Sequence, residues 1–217
     1  MRVFKYAMLA VVALMSIARA APLSEGELKN LLTAIRKNRS TQADFQEERV
    51  IRLMKKPVVS SGTVWFQTPN KFRREVKGNS PSITVSNGRE LWIYYPNFKS
   101  AERYPLGKGS PLDATVAAIN SALNLENIET SFNISATKSE SGHELALLPR
   151  TAAMKRVFQK LDLRINNEFR VARTDMLLPN GDRIVTIYSN QTRASIPAST
   201  FEFKPPAGTD VTTPLGQ

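Results

Sequence analysis

Beyond position 40, apolar and polar residues alternate in short runs, and turn-forming residues break the runs roughly every eight to twelve positions. That is the rhythm of an antiparallel, mainly β chain. The alternation predicts strands at 42–54, 61–68, 72–77, 82–86, 90–95, 100–104, 131–138, 143–148, 156–165, 170–177 and 183–189, with a short last one at 200–203. Asn87-Gly88, Asn166-Asn167 and Asn180-Gly181 mark hairpins, because Asn and Gly tolerate the positive φ of tight loops. A two-residue loop at Asn87-Gly88 would pair Ser86 with Arg89, Thr84 with Leu91 and Ile83 with Trp92. The tail from Thr209 reads as loose.

Two segments carry helical spacing instead. Ser24 and Glu27 stand at capping-box distance before Leu28, Leu31, Leu32 and Ile35, which share one helical face. Later, Pro111 precedes Leu112, Val116, Ile119 and Leu123, a second amphipathic helix over 110–125 that interrupts the strands. The fold class expected is therefore mainly β with helices (α+β).

The first twenty residues change the picture of destination. Arg2 and Lys5 precede an apolar run at 7–17 and then Ala18-Arg19-Ala20, the pattern of a cleaved secretory signal peptide, too short for a membrane span. Residues 21–217 are expected to form a single exported domain. The chain has no Cys, hence no disulfide. Losing the three cations of the leader lowers the formal net charge from +11 to +8. The remaining Lys and Arg are scattered, which speaks for anionic lipid surfaces, acidic partners or solubility, and against nucleic acid.

Catalytic chemistry is thin. One His, no Cys, and no nucleophile elbow, P-loop or zinc motif leave no catalytic residue, metal or cofactor to nominate. His143, beside a Ser-Gly turn, reads as an exposed strand residue. The carboxylates of Asp44, Glu47, Glu48 and Glu75 alternate with Arg49 and Arg74, as on solvated strand faces. Apolar surface on strands and helices, by contrast, is ample for a two-layer core, and each such residue reads first as core and second as contact for a ligand.

From Ala43 to Leu106 the chain carries Ala-Asp-Phe-Gln-Glu-Glu-Arg, the stretch Gly62–Phe72 of form Gly-x-x-Trp-φ-x-x-Pro-Asn-x-Phe, and Val-Ser-Asn-Gly-Arg-Glu-Leu-Trp-Ile-Tyr-Tyr-Pro. With the closing Phe-x-Phe-x-Pro-Pro-x-Gly at Phe201–Gly208, these motifs resemble the outer-membrane lipoprotein carrier (LolA) family over most of the chain. The resemblance implies an incomplete antiparallel β-barrel with helices covering its concave face. It also implies a periplasmic carrier that holds acyl chains of a lipoprotein in an apolar cavity, and that acts as a monomer without a cofactor. Cargo would come from an inner-membrane ABC transporter and pass to an outer-membrane receptor lipoprotein.

On that reading Val64, Phe66, Phe72, Val76, Ile83, Leu91, Trp92 and Ile93 line the cavity, although Ile83 and Trp92 alternate to one side of their hairpin and Leu91 and Ile93 to the other. Leu112, Val116, Ile119 and Leu123 form the lid. Two positions depart from the family. Thr68 stands where its carriers have an Arg that closes the lid, so gating by that Arg is not expected to carry over. Arg74 falls on the face of Phe72 and Val76, where the family is aromatic; it is expected to snorkel to the rim, with a ligand head group as its other possible contact. Alternatives are carriage of a glycolipid, polyene or other lipid, a lipid-sensing regulatory protein, and a hydrolase.

Overall fold

A computed structural model describes residues 21–68, 70–106 and 128–214. Helix α1 (Glu25–Lys37) opens on the capping box: Ser24 Oγ accepts from the Glu27 amide while Glu27 accepts from the Ser24 backbone. Its buried stripe is Leu31, Leu32 and Ile35. The strands are β1 (Gln42–Val50), β2 (Val58–Gln67), β3 (Lys71–Lys77), β4 (Ser82–Ser86), β5 (Glu90–Tyr95) and β6 (Ser100–Pro105), then β7 (Phe132–Ser139), β8 (Gly142–Pro149), β9 (Lys160–Ile165), β10 (Val171–Leu177), β11 (Arg183–Thr192) and β12 (Asp210–Thr212). Single helical turns, α2 (Ile128–Ser131) and α3 (Ala152–Lys155), precede β7 and follow β8.

All twelve strands join one sheet in the order β12-β6-β5-β4-β3-β2-β1-β11-β10-β9-β8-β7. Its two edge strands, β12 and β7, do not pair, so the barrel stays open. Apart from 200–203, the expected strands are present with shifted ends. The 42–54 strand stops at Val50, where the Met54 amide donates to the Ile51 carbonyl in a turn. The 156–165 strand starts only at Lys160, because α3 and the buried Phe158 come first.

Three local expectations fail for identifiable reasons. Asn87 is not a central loop residue: its Oδ1 accepts from the Arg89 and Glu90 amides, so Gly88 (φ 88°) and Arg89 form the loop and Ser86 pairs with Leu91. That slip of two residues leaves each side chain on its expected face. Residues 200–203 are no strand; Ala198–Phe201 is a 3-10 turn between Pro197 and Pro205-Pro206, and Phe203 just beyond it packs on the sheet. The tail instead supplies β12, which pairs parallel with β6. The expected helix over 110–125, and with it Leu112, Val116, Ile119 and Leu123, lies outside the described residues.

Candidate functional site

Strand register sorts every side chain onto one of two faces. The inner face carries α1. There Leu31, Leu32 and Ile35 join Phe132, Leu145, Leu147, Leu161, Leu163 and Ile165, all buried, in one core over β7, β8 and β9. Following the register across β11 and β1, the same face continues through Phe45 and Ala43 to Val64 and Phe66 on β2, Phe72 and Val76 on β3, and Leu91 and Ile93 on β5. Six of the eight expected lining residues therefore share the inner face.

Ile83 and Trp92 do not. They sit on the opposite, outer face, where Trp92 and Tyr94 pack against Phe203 at 5.6 and 5.5 Å between ring centres. The C-terminal segment is pinned there by Arg73, which donates to the Thr200 carbonyl at 3.3 Å. Both sides of this hairpin are apolar, the outer one because Phe203 covers it, and alternation alone cannot tell them apart.

On the inner face of β1–β6 packing is looser. Ala43, Phe45 and Val64 form one small cluster, and Phe72 and Leu91 another; strand residues and Leu106 make up both. Phe66, Val76, Ile93 and Tyr104 are only half-buried. Gly62 makes room for this layout: a Cβ there would fall 1.7 Å from the Glu75 carbonyl oxygen and 2.9 Å from the Phe45 ring.

A polar pair crosses this surface. Arg74, at mid-strand, does not run to the rim; its guanidinium lies 4.3 Å over the Phe45 ring, with Nη2 3.0 Å from Glu47 Oε1. The angle is too oblique for a hydrogen bond from that nitrogen, so the attraction is that of an ion pair over an aromatic face. Thr186 Oγ1 donates to the other Glu47 oxygen at 3.4 Å, and burial pushes the neighbouring Tyr188 phenol up. Glu47 and Arg74 thus belong to the inner face, not to a solvated one.

The outer face of β8–β11 offers a different surface, a groove of about 610 Å³ lined by Lys160, Asp162, Arg164, Arg173, Asp175 and Arg183 among others. Its charges are matched. Arg183 Nε donates to Asp175 at 2.6 Å, and that bond holds the carboxyl below the usual carboxylate range; Lys160 pairs with Asp162 at 2.9 Å. So held, Asp175 is not poised as an acid or base. His143 is half-buried rather than exposed; it stacks on Phe169, and burial lowers its pKa. Among the described residues no three His, Cys, Asp or Glu side chains gather as a metal site.

An open, almost wholly antiparallel sheet with a helix on one flank of its inner face and an oily, partly filled remainder defines a class of β-barrel-like binding proteins. The model of the family described as outer membrane lipoprotein carrier protein LolA matches residues 36–204, and the chain belongs to that family. It is 26% identical over 205 residues to an outer-membrane lipoprotein carrier protein of Bordetella avium, covering 94% of this chain and 95% of that one. A protein of the same description from Methylibium petroleiphilum is 30% identical over 154 residues, 70% of this chain and 72% of its own. In fold it is similar to an uncharacterized conserved protein from Thermus thermophilus, with a TM-score of 0.52 and 16% identity, over 86% of this chain and 99% of that one.

Proposed function

We propose that the chain is a periplasmic carrier that shelters the acyl chains of a lipoprotein against the inner face of β2–β5, and moves them from the inner to the outer membrane. The observation that carries this reading is the stripe Val64, Phe66, Phe72, Val76, Leu91 and Ile93, apolar side chains on three strands of one face, several of them only half-buried by the protein's own packing. Each acyl methylene taken out of water there contributes about 0.8 kcal/mol, so binding requires no catalytic group. Family membership supports the same reading, as does the description shared by its relatives. The donor would be an inner-membrane ABC transporter and the acceptor an outer-membrane receptor lipoprotein.

The Arg74–Glu47 pair favours a second reading, a glycolipid or other lipid with a polar head, since a charge pair beside the stripe can meet such a group. Native mass spectrometry of protein released from the periplasm distinguishes the two. A co-purified acylated polypeptide supports lipoprotein cargo, a free lipid supports the second reading, and protein that carries neither, and takes up neither when offered, overturns both. An Ile93→Asp variant should lose cargo while its far-UV circular dichroism is unchanged.

A further inference from the structure

Because the strands from β1 to β6 alternate in direction, the β1–β2, β3–β4 and β5–β6 connections all emerge at one end of the sheet, as does the β10–β11 turn. That end carries exposed apolar side chains at two apices. Leu53, in the β1–β2 connection, is 97% exposed with Met54 beside it at 51%, and Phe98, in the β5–β6 connection, is 80% exposed. Each apex is flanked by cations with open access to solvent, Arg52, Lys55 and Lys56 at the first and Lys99 at the second. No Asp or Glu occurs between Arg49 and Val59.

The first apex is held in place rather than trailing. The Met54 amide closes a turn on Ile51, the Arg52 amide donates to buried Asp182 Oδ1 at 3.1 Å, and Arg49 pairs with the same carboxylate. With β3 and β4 between their nearer strands, the two apices stand about 19 Å apart along the sheet, four spacings of ~4.8 Å per strand. A large apolar side chain presented to water by an anchored turn, ringed by cations, matches a bilayer surface whose head groups are anionic and whose acyl region lies just beneath them.

We propose that this end of the molecule docks on anionic phospholipid membranes, with Leu53, Met54 and Phe98 entering below the head groups and Lys55, Lys56 and Lys99 paired with phosphates. Docking stands independently of the carrier function, because none of these residues lies on the inner face.

The test is co-sedimentation of the protein, expressed with its own N-terminal segment, with vesicles of mixed phosphatidylglycerol and phosphatidylcholine and with vesicles of phosphatidylcholine alone. Binding should need phosphatidylglycerol, weaken with salt, and fall at least roughly tenfold in Leu53→Asp/Phe98→Asp. Lys55→Gln and Lys56→Gln should each weaken it about fivefold. Since the chain has no Cys, a fluorophore on Leu53→Cys reports immersion, with exposed Leu148→Cys on the outer face as the control. A blue shift at 53 alone supports the proposal. Unchanged vesicle binding by the folded double Asp variant, equal shifts at both positions, no binding at all, or self-association through this end in place of vesicle binding would each overturn it. Ile93→Asp, emptied of cargo, should still sediment with the vesicles, so failure of the carrier reading shows separately.

Discussion

The two flanks of the inner face use the same kinds of residue to different ends. Over β7–β9, α1 closes on Leu145, Leu147, Leu161, Leu163 and Ile165 until none is more than 1% exposed. Over β2–β5, Phe66, Val76 and Ile93 stay half-buried beside buried Val64, Phe72 and Leu91, and an ion pair lies among them. Residue type therefore does not separate the two flanks; what separates them, among the described residues, is whether another element has filled the space above. Among the described residues the first flank is close-packed and the second is packed only in small clusters.

The sharpest way to break that contrast is to truncate one residue on each flank. Leu147→Ala leaves a cavity in a close-packed core and should cost about 2–5 kcal/mol in urea unfolding. Ile93→Ala, at a half-buried site, should cost ~1 kcal/mol while weakening lipid uptake more than Leu147→Ala does. Equal losses of stability at both sites would mean that the second flank is ordinary core. Next in size is Gly62→Ala, whose methyl meets backbone on one side and the Phe45 ring on the other; strand and ring must shift, for about 1–3 kcal/mol. A thermal midpoint equal to that of the parent would show that the Phe45 layer is not packed as described.

How much of this was legible beforehand follows from where each signal resides. Period-two alternation and turn residues are local and mark the β1–β11 strands, as the capping box and 3.6-residue spacing mark helix α1. The outer position of Trp92 was not legible, since Phe203, which covers it, is distant in sequence. Phe201-x-Phe203 imitates strand alternation, yet Phe203 docks on a sheet face and the flanking prolines withhold amides from any edge. The Arg74–Glu47 pair joins β3 to β1 across Gly62, and each partner looked solvated because its local neighbours are charged. Length alone hinted that Arg74 could travel; only the register says where.

A smaller effect comes from that pair. Arg74→Met leaves Glu47 without its cation on an apolar face; with both side chains about a quarter exposed, hydration softens the cost to ~1–2 kcal/mol. Arg74→Met/Glu47→Leu should recover most of it, and a double-mutant cycle gives the coupling. If single and double variants are equally stable, the pair contributes nothing to folding and its place on the inner face is better explained by cargo.

The smallest effect lies on the closed flank and concerns pH. His143 is the one imidazole in the chain; half-buried on the inner face against Phe169, it sits across the strand pair from Lys138. Burial, then the Lys138 charge, lowers its pKa below the ordinary 6.5. The folded protein therefore binds this proton less readily than the unfolded chain does, and folding gains from the neutral ring at any pH above 6.5. That gain is lost as pH falls through 6.5 toward the lowered value, so unfolding free energy should decline over this window in the parent. His143→Phe, which keeps the ring stack and removes the titration, should remove that part of the decline. The lone imidazole resonance in an NMR titration gives the shift directly, and a midpoint at or above 6.5 would show that water reaches this flank, erasing the difference between it and the one across the sheet.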